Sequence, residues 1–184
     1  MEWEQLQEWS ELESEARAII NNLYDSDKSG EQCLLCIIIE PAFDNPINCR
    51  LVRKHTIQNN ASYVAVYTSW KHLEDLEKFR TPTERLKYPE KLSPTIISIQ
   101  IDLESIYVEQ LMHQFENISI PSYVSNHSIG CDGVFYKLIL GDDFLNASYQ
   151  WWCEPPEKWQ SLEKIVNDIL DYIRNKIDRQ SMIS

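Results

Sequence analysis

Glycine is scarce, with four residues in 184. So few glycines leave no Gly-rich phosphate loop, no dinucleotide fingerprint and no Gly-x-Ser-x-Gly elbow, all of which need backbone that only glycine adopts easily. His55, His72, His113 and His127 are scattered, with none paired at metal-ligand spacing. Long apolar runs are missing too. The longest, Cys33 to Ile39, is far below the roughly 20 residues that cross a bilayer. The opening stretch MEWEQLQEW is acidic and has neither the basic nor the apolar region of a secretory signal. The expectation is a cytoplasmic protein whose five cysteines are reduced thiols, which makes triplets such as Asn146-Ala147-Ser148 irrelevant to glycosylation. Positive charge is short: 17 Lys and Arg face 29 Asp and Glu, for a net charge of −12. That balance argues against nucleic acid and anionic membranes as partners, and is compatible with solubility alone or with a basic protein partner.

What is present is globular. Hydrophobic residues make up 43% and charged residues 25%, ordinary values for a folded domain. The length suits a single globular domain over residues 1–184 with a real core. The pattern reads as α+β, with a mixed or mostly antiparallel sheet of about five or six strands. N-terminal and C-terminal helices are expected to pack on one face of that sheet, with the middle helix elsewhere.

The best-specified stretch runs from Asp132 to Ile173. Gly141-Asp142-Asp143 separates two alternating runs, as a hairpin turn does. Val134, Tyr136, Leu138 and Leu140 share one face, and Leu145, Ala147, Tyr149 and Trp151 continue it. Trp152 falls on the opposite side with Phe135, Lys137 and Ile139, either covered by another element or exposed as a recognition anchor. Pro155 and Pro156 end the strand and prepare a helix. In that helix Leu162, Ile165, Val166, Ile169, Leu170, Ile173 and Ile177 form one apolar stripe. The series Asp132-Gly133, Tyr136-x-Leu138, Tyr149-x-Trp151-Trp152 and Pro155-Pro156-x-x-Trp159-x-x-Leu162 resembles small bacterial proteins of unassigned role, some of them in toxin–immunity settings. The resemblance covers only the C-terminal third. It implies a shared fold and an immunity-like role, and brings no active site with it.

Upstream, residues 2–24 read as an amphipathic helix with Leu6, Trp9, Leu12, Ala16, Ile19, Ile20 and Leu23 on its stripe. Up to Asp27 this segment carries eight acids against Arg17, a local balance of −7. Glu4, Glu8, Glu11 and Glu15 are the candidate partner-binding residues here, together with Trp152; the alternative is a merely solvated helix surface. Asp25 to Glu31 does not complete a calcium loop, because the remaining ligand positions fall on an apolar run. CLLCIIIEP is continuous rather than alternating, as in a strand buried on both faces, which makes Cys33 and Cys36 packing residues. Residues 49–57 and 61–69 read as two strands. From Arg50 to Lys91 nine basic side chains face five acidic ones. Arg50, Arg53 and Lys54 with Tyr63 and Tyr67 form either an anion surface or a cationic edge strand. A short helix near Leu73 to Phe79 opens an irregular, proline-broken excursion over 70–94. Then come a strand with Ile97, Ile99 and Ile101 on one side, and a helix from Leu103 to about Phe115 capped by Asp102, with Leu103, Ile106, Tyr107, Leu111 and Phe115 inward. Asn117 to Ser128 is a linker with a short strand near Ile118 or Tyr123.

For chemistry, His72/Glu74/Asp75 reads as a solvated cluster, and His127 with Cys131 as a chance imitation of a thiol site. No catalytic, cofactor-binding or metal-binding residues are assigned and no cofactor is implied. The expectation is a non-catalytic protein-binding protein, immunity-like, that engages a basic partner. The alternative is a small-ligand-binding module or enzyme with a pocket under the 70–94 excursion.

Overall fold

Six strands pair into one open antiparallel sheet of order β4-β3-β2-β1-β5-β6. They are β1 (Glu31–Pro41), β2 (Ile47–His55), β3 (Ala61–Trp70), β4 (Ile96–Leu103), β5 (Val134–Gly141) and β6 (Asn146–Trp152). The helices are α1 (Trp3–Asn22), α2 (His72–Arg80), α3 (Ser105–Asn117) and α4 (Gln160–Ser181), the last entered through a 3-10 turn at Glu157–Trp159. The computed structural model describes residues 3–22, 31–55, 61–81, 92–122, 124, 132–141 and 146–181. The fold is therefore α+β, a six-stranded antiparallel sheet flanked by helices. Among the described residues, no helix is long and apolar enough to cross a membrane.

The hairpin keeps the phase read from sequence. Tyr136 pairs with Trp151, Leu138 with Tyr149 and Leu140 with Ala147 on one face; Phe135 pairs with Trp152 and Lys137 with Gln150 on the other. Gly141 sits at φ 99, a left-handed conformation that costs a glycine little. The two tryptophans thus serve opposite faces. Trp151 is buried and stacks on Tyr136 at 5.3 Å, while Trp152 is half-buried. Residues 142–145 of the turn lie outside the described residues.

α4 lays Leu162, Ile165, Val166, Ile169, Leu170 and Ile173 onto Leu35, Ile37, Cys49, Leu51, Ala65, Ile101 and Leu138. Each such side chain contributes about 1.5–3 kcal/mol on full burial. α3 lies on the same face as α4, through Val108 and Leu111, and Tyr107 stacks on Tyr172 at 3.8 Å. The expectation that the middle helix lies elsewhere is corrected accordingly.

α1 is on the other face. Leu12, Ala16 and Ile20 pack with Trp70, and the buried Asn48 donates to the Ile20 carbonyl at 2.8 Å. This carbonyl belongs to the last turn of α1, where the helix itself offers no donor. The two terminal helices therefore sandwich the sheet rather than sharing one face. β1 is the reason: Leu35 to Ile39 are buried on both sides and need a cover on each. A bulge at Leu34 shifts the β1–β2 register between Cys33 and Leu35.

Other expectations shift by a residue or a face. β4 runs on to Leu103, so Asp102 is a strand residue and the helix starts at Ser105, after Glu104. Val108 then turns inward and Ile106 is 63% exposed. Leu6 and Ile19 of α1 are exposed as well. β2 is an interior strand, so it is not a cationic edge. Arg50 pairs with Val66, whereas Arg53 pairs with Tyr63 one residue out of phase, so Arg50 and Lys54 stand on one face and Arg53, Tyr63 and Tyr67 on the other. Residues 118–122 contain no strand; Ile118 and Ile120 pack against the core instead. Tyr123, Leu23, the turn at 56–60 and residues 82–91 of the excursion lie outside the described residues.

Candidate functional site

Two surfaces follow from how α1 docks. At about 100° per residue, the buried positions Leu12, Ala16 and Ile20 put Arg17 and Asn21 on one flank of the helix. Glu8, Glu11 and Glu15 fall on the other flank. Arg17, the helix's one basic residue, is turned toward β1 and pairs with Glu40 at 2.7 Å and with Glu13 at 3.1 Å. Glu8, Glu11 and Glu15 are exposed. Glu4 is helical and falls on the same flank by spacing, but its side chain lies outside the described residues.

The second surface is the part of the α1 face over β1, β5 and β6, where a cavity of about 410 Å³ opens. Its floor is Cys36 and Ile38 of β1 with Phe135, Lys137 and Ile139 of β5. Asn21 of α1, Glu40 and Gln150 form its polar rim. Trp152 stands beside it as the cross-strand partner of Phe135. Its indole also lies close to Gly133, where a Cβ would come within 2.7 Å of the indole nitrogen and 2.3 Å of Cys153 Sγ. A larger residue than glycine cannot take that place without moving the corner. The acidic flank and Trp152 are thus not brought together: one lies on an outer flank of α1, the other next to β5.

The remaining polar clusters are structural. Asp75 is 3% exposed and accepts from the Trp70 indole at 2.8 Å, from the Thr95 backbone and hydroxyl at 2.7 Å each, and from Lys78 at 3.0 Å. Burial acts to raise its carboxyl, but these donors outweigh that and hold it below the ordinary value of 3.8. The solvated reading of His72/Glu74/Asp75 is therefore corrected: only Glu74 is exposed, paired with Lys71 at 2.8 Å. His72 packs edge-on against Trp70 at 4.6 Å and near Trp9 at 5.5 Å. Burial holds its imidazole below 6.5, and Arg17 adds to this, while Glu13, Asp75 and Asp44 pull the other way. Trp9, Trp70, His72 and Phe79 fill the space against α2.

Burial pushes the Cys36 and Cys49 thiols up to about 12, so both stay protonated packing groups at neutral pH. Cys36 donates to Asn48 Oδ1 at 3.5 Å, within the sheet, as its place in a strand requires. His127 and Cys131 lie outside the described residues. Among the described residues, no three His, Cys, Asp or Glu side chains gather as metal ligands would.

Strand alternation groups Phe135, Lys137, Ile139 and Trp152 on one side of the hairpin, with Gln150 pointing the same way, but it misses Asn21 and Glu40, which reach the cavity from α1 and β1. Nothing in the local pattern marks Asp75 as a buried acceptor. No protein-family model, no curated protein and no solved structure matches the chain.

Proposed function

We propose that the chain is a non-catalytic cytoplasmic binding protein, immunity-like in role, that engages a basic protein partner through the outer flank of α1. The observation that carries this reading is the placement of Glu8, Glu11 and Glu15. They stand exposed along one flank, while the only basic residue of the helix is turned away and held by Glu40. The net charge of −12 extends the same field over the molecule and favours encounter with a cation-rich surface. The class of partner is proposed from the C-terminal pattern Asp132 to Leu162, read from sequence as resembling proteins in toxin–immunity settings. The experiment is affinity capture of the tagged protein from its host, repeated across salt and with the triple variant Glu8→Lys, Glu11→Lys, Glu15→Lys. One stoichiometric basic partner, lost as salt rises and weakened at least about tenfold by the reversal, is the expected result. Unchanged capture by the variant overturns the role of α1. A second reading, a small-ligand-binding module, is favoured by the cavity over β5 rather than by the 70–94 segment.

A further inference from the structure

We propose that the cavity over β1, β5 and β6 is a binding site for a small amphipathic carboxylate, its anionic head on Lys137 and its apolar body on Ile38, Phe135 and Ile139. The inference is independent of the partner of α1.

Lys137 is the feature that asks for an explanation. It stands in an interior strand, half-buried, between Phe135 and Ile139, with Ile38 across on β1 and Gln150 across on β6. No carboxylate among the described residues forms an ion pair with it, although the chain carries an excess of acid. The nearby acid, Glu40, pairs across the strands with Phe135, one step along the face, and is already held by Arg17 at 2.7 Å. An ammonium partly withdrawn from water attracts an anion more strongly than one in bulk solvent.

The rest of the cavity narrows the class. A volume of about 410 Å³ lies in the range of small-molecule sites. One lysine, with no arginine fork among the lining residues, matches a monoanion better than a phosphate. The three apolar side chains require a hydrocarbon or aryl body behind the charge. Gln150 and Asn21 line the same cavity and carry the amide groups that can donate to the second carboxylate oxygen.

The test uses the full chain and octanoate, with octanamide as the neutral analogue, by titration calorimetry and methyl-resolved NMR. Octanoate is expected to bind at least about tenfold more tightly than octanamide, and to shift the Ile38 and Ile139 methyl signals. Lys137→Met should remove that preference, and Lys137→Arg should keep it. Equal affinity for acid and amide, shifts confined to another part of the molecule, no binding at millimolar octanoate, or an unchanged preference in Lys137→Met would each overturn the proposal. Should Lys137→Met fail to fold, the acid–amide comparison and the methyl shifts of the natural chain decide alone.

Discussion

α4 and α1 cover opposite faces of one sheet and are attached by different chemistry. α4 docks through an unbroken stripe from Leu162 to Ile173, with Tyr107 on Tyr172 and Trp159 donating to the Pro121 carbonyl at 3.0 Å as its flanking ties. α1 docks through Leu12, Ala16 and Ile20, an aromatic group around Trp9 and Trp70, and polar links from Asn48 and Glu40. Among the described residues its partners are fewer and more polar. The α4 side holds the larger buried cluster among the described residues, and the α1 side the smaller one. Each side also has an opening of similar size, about 410 Å³ beside α1 and about 400 Å³ between α3 and the β1–β5 pair. What separates the two sides is therefore the chemistry of the attachment, since the α1 cavity has a lysine on its floor and the other has none among its lining residues.

The largest expected effect lies in α4. Ile169→Ala should lower unfolding free energy by roughly 2–5 kcal/mol in urea, with the whole sheet melting together. A loss below about 1 kcal/mol would mean that α4 is not the main seal. Next comes Asp75→Ala, which removes the acceptor of the Trp70 indole and the Thr95 amide and one of the partners of Lys78. A loss of roughly 1–3 kcal/mol is expected in the same assay.

Asn48→Ala sharpens the contrast between the helices. It removes the donor to the Ile20 carbonyl, at a cost of about 1 kcal/mol, and should speed amide exchange in α1 while leaving α4 protected. Equal acceleration in both helices would show that they open as one unit, and the contrast would fail.

The smallest effect is a pH dependence. The folded state holds His72 below its ordinary value of 6.5, so below that pH the unfolded chain takes up more protons than the folded one. The contribution is complete above about 6.5 and is lost as pH falls through the depressed folded value. Unfolding curves between about pH 8 and about pH 5 should show this decline, and His72→Phe should flatten it. Asp75, depressed from 3.8, adds its own decline only at lower pH.

Much of this architecture could be read in advance, and the failures are physical rather than random. The β5–β6 phase and the α4 stripe were legible because period 2 and period 3.6 each select one face, as Tyr136 opposite Trp151 and Leu162 to Ile173 show. The side on which α1 lies was not legible. An amphipathic stripe says that a helix buries a face, but not which side of a doubly covered strand it meets. Ile106 misled because the alternation Ile99, Ile101, Leu103 runs on past the expected helix start. The cavity escaped because its rim also draws on Asn21 of α1 and Glu40 of β1, and pairing between distant elements leaves no local periodicity.

The strand order also bears on how the chain reaches this shape. β1 to β4 are joined successively in a meander, whereas Ile37 meets Leu138 about a hundred residues later. The links 42–46 and 56–60 are short and the β3–β4 link, 71–95, is intermediate, so all three close at smaller entropic cost than the β1–β5 pairing. The meander is expected to assemble first and the β5–β6–α4 unit to dock onto it afterwards. Until it docks, β1 is an unpaired apolar edge, the point at which a slow-folding copy would capture a neighbour. The same seam makes the chain divisible: separate fragments ending and beginning within residues 125–131 should recombine through β1 and β5, and thereby turn a single polypeptide into a two-piece reporter.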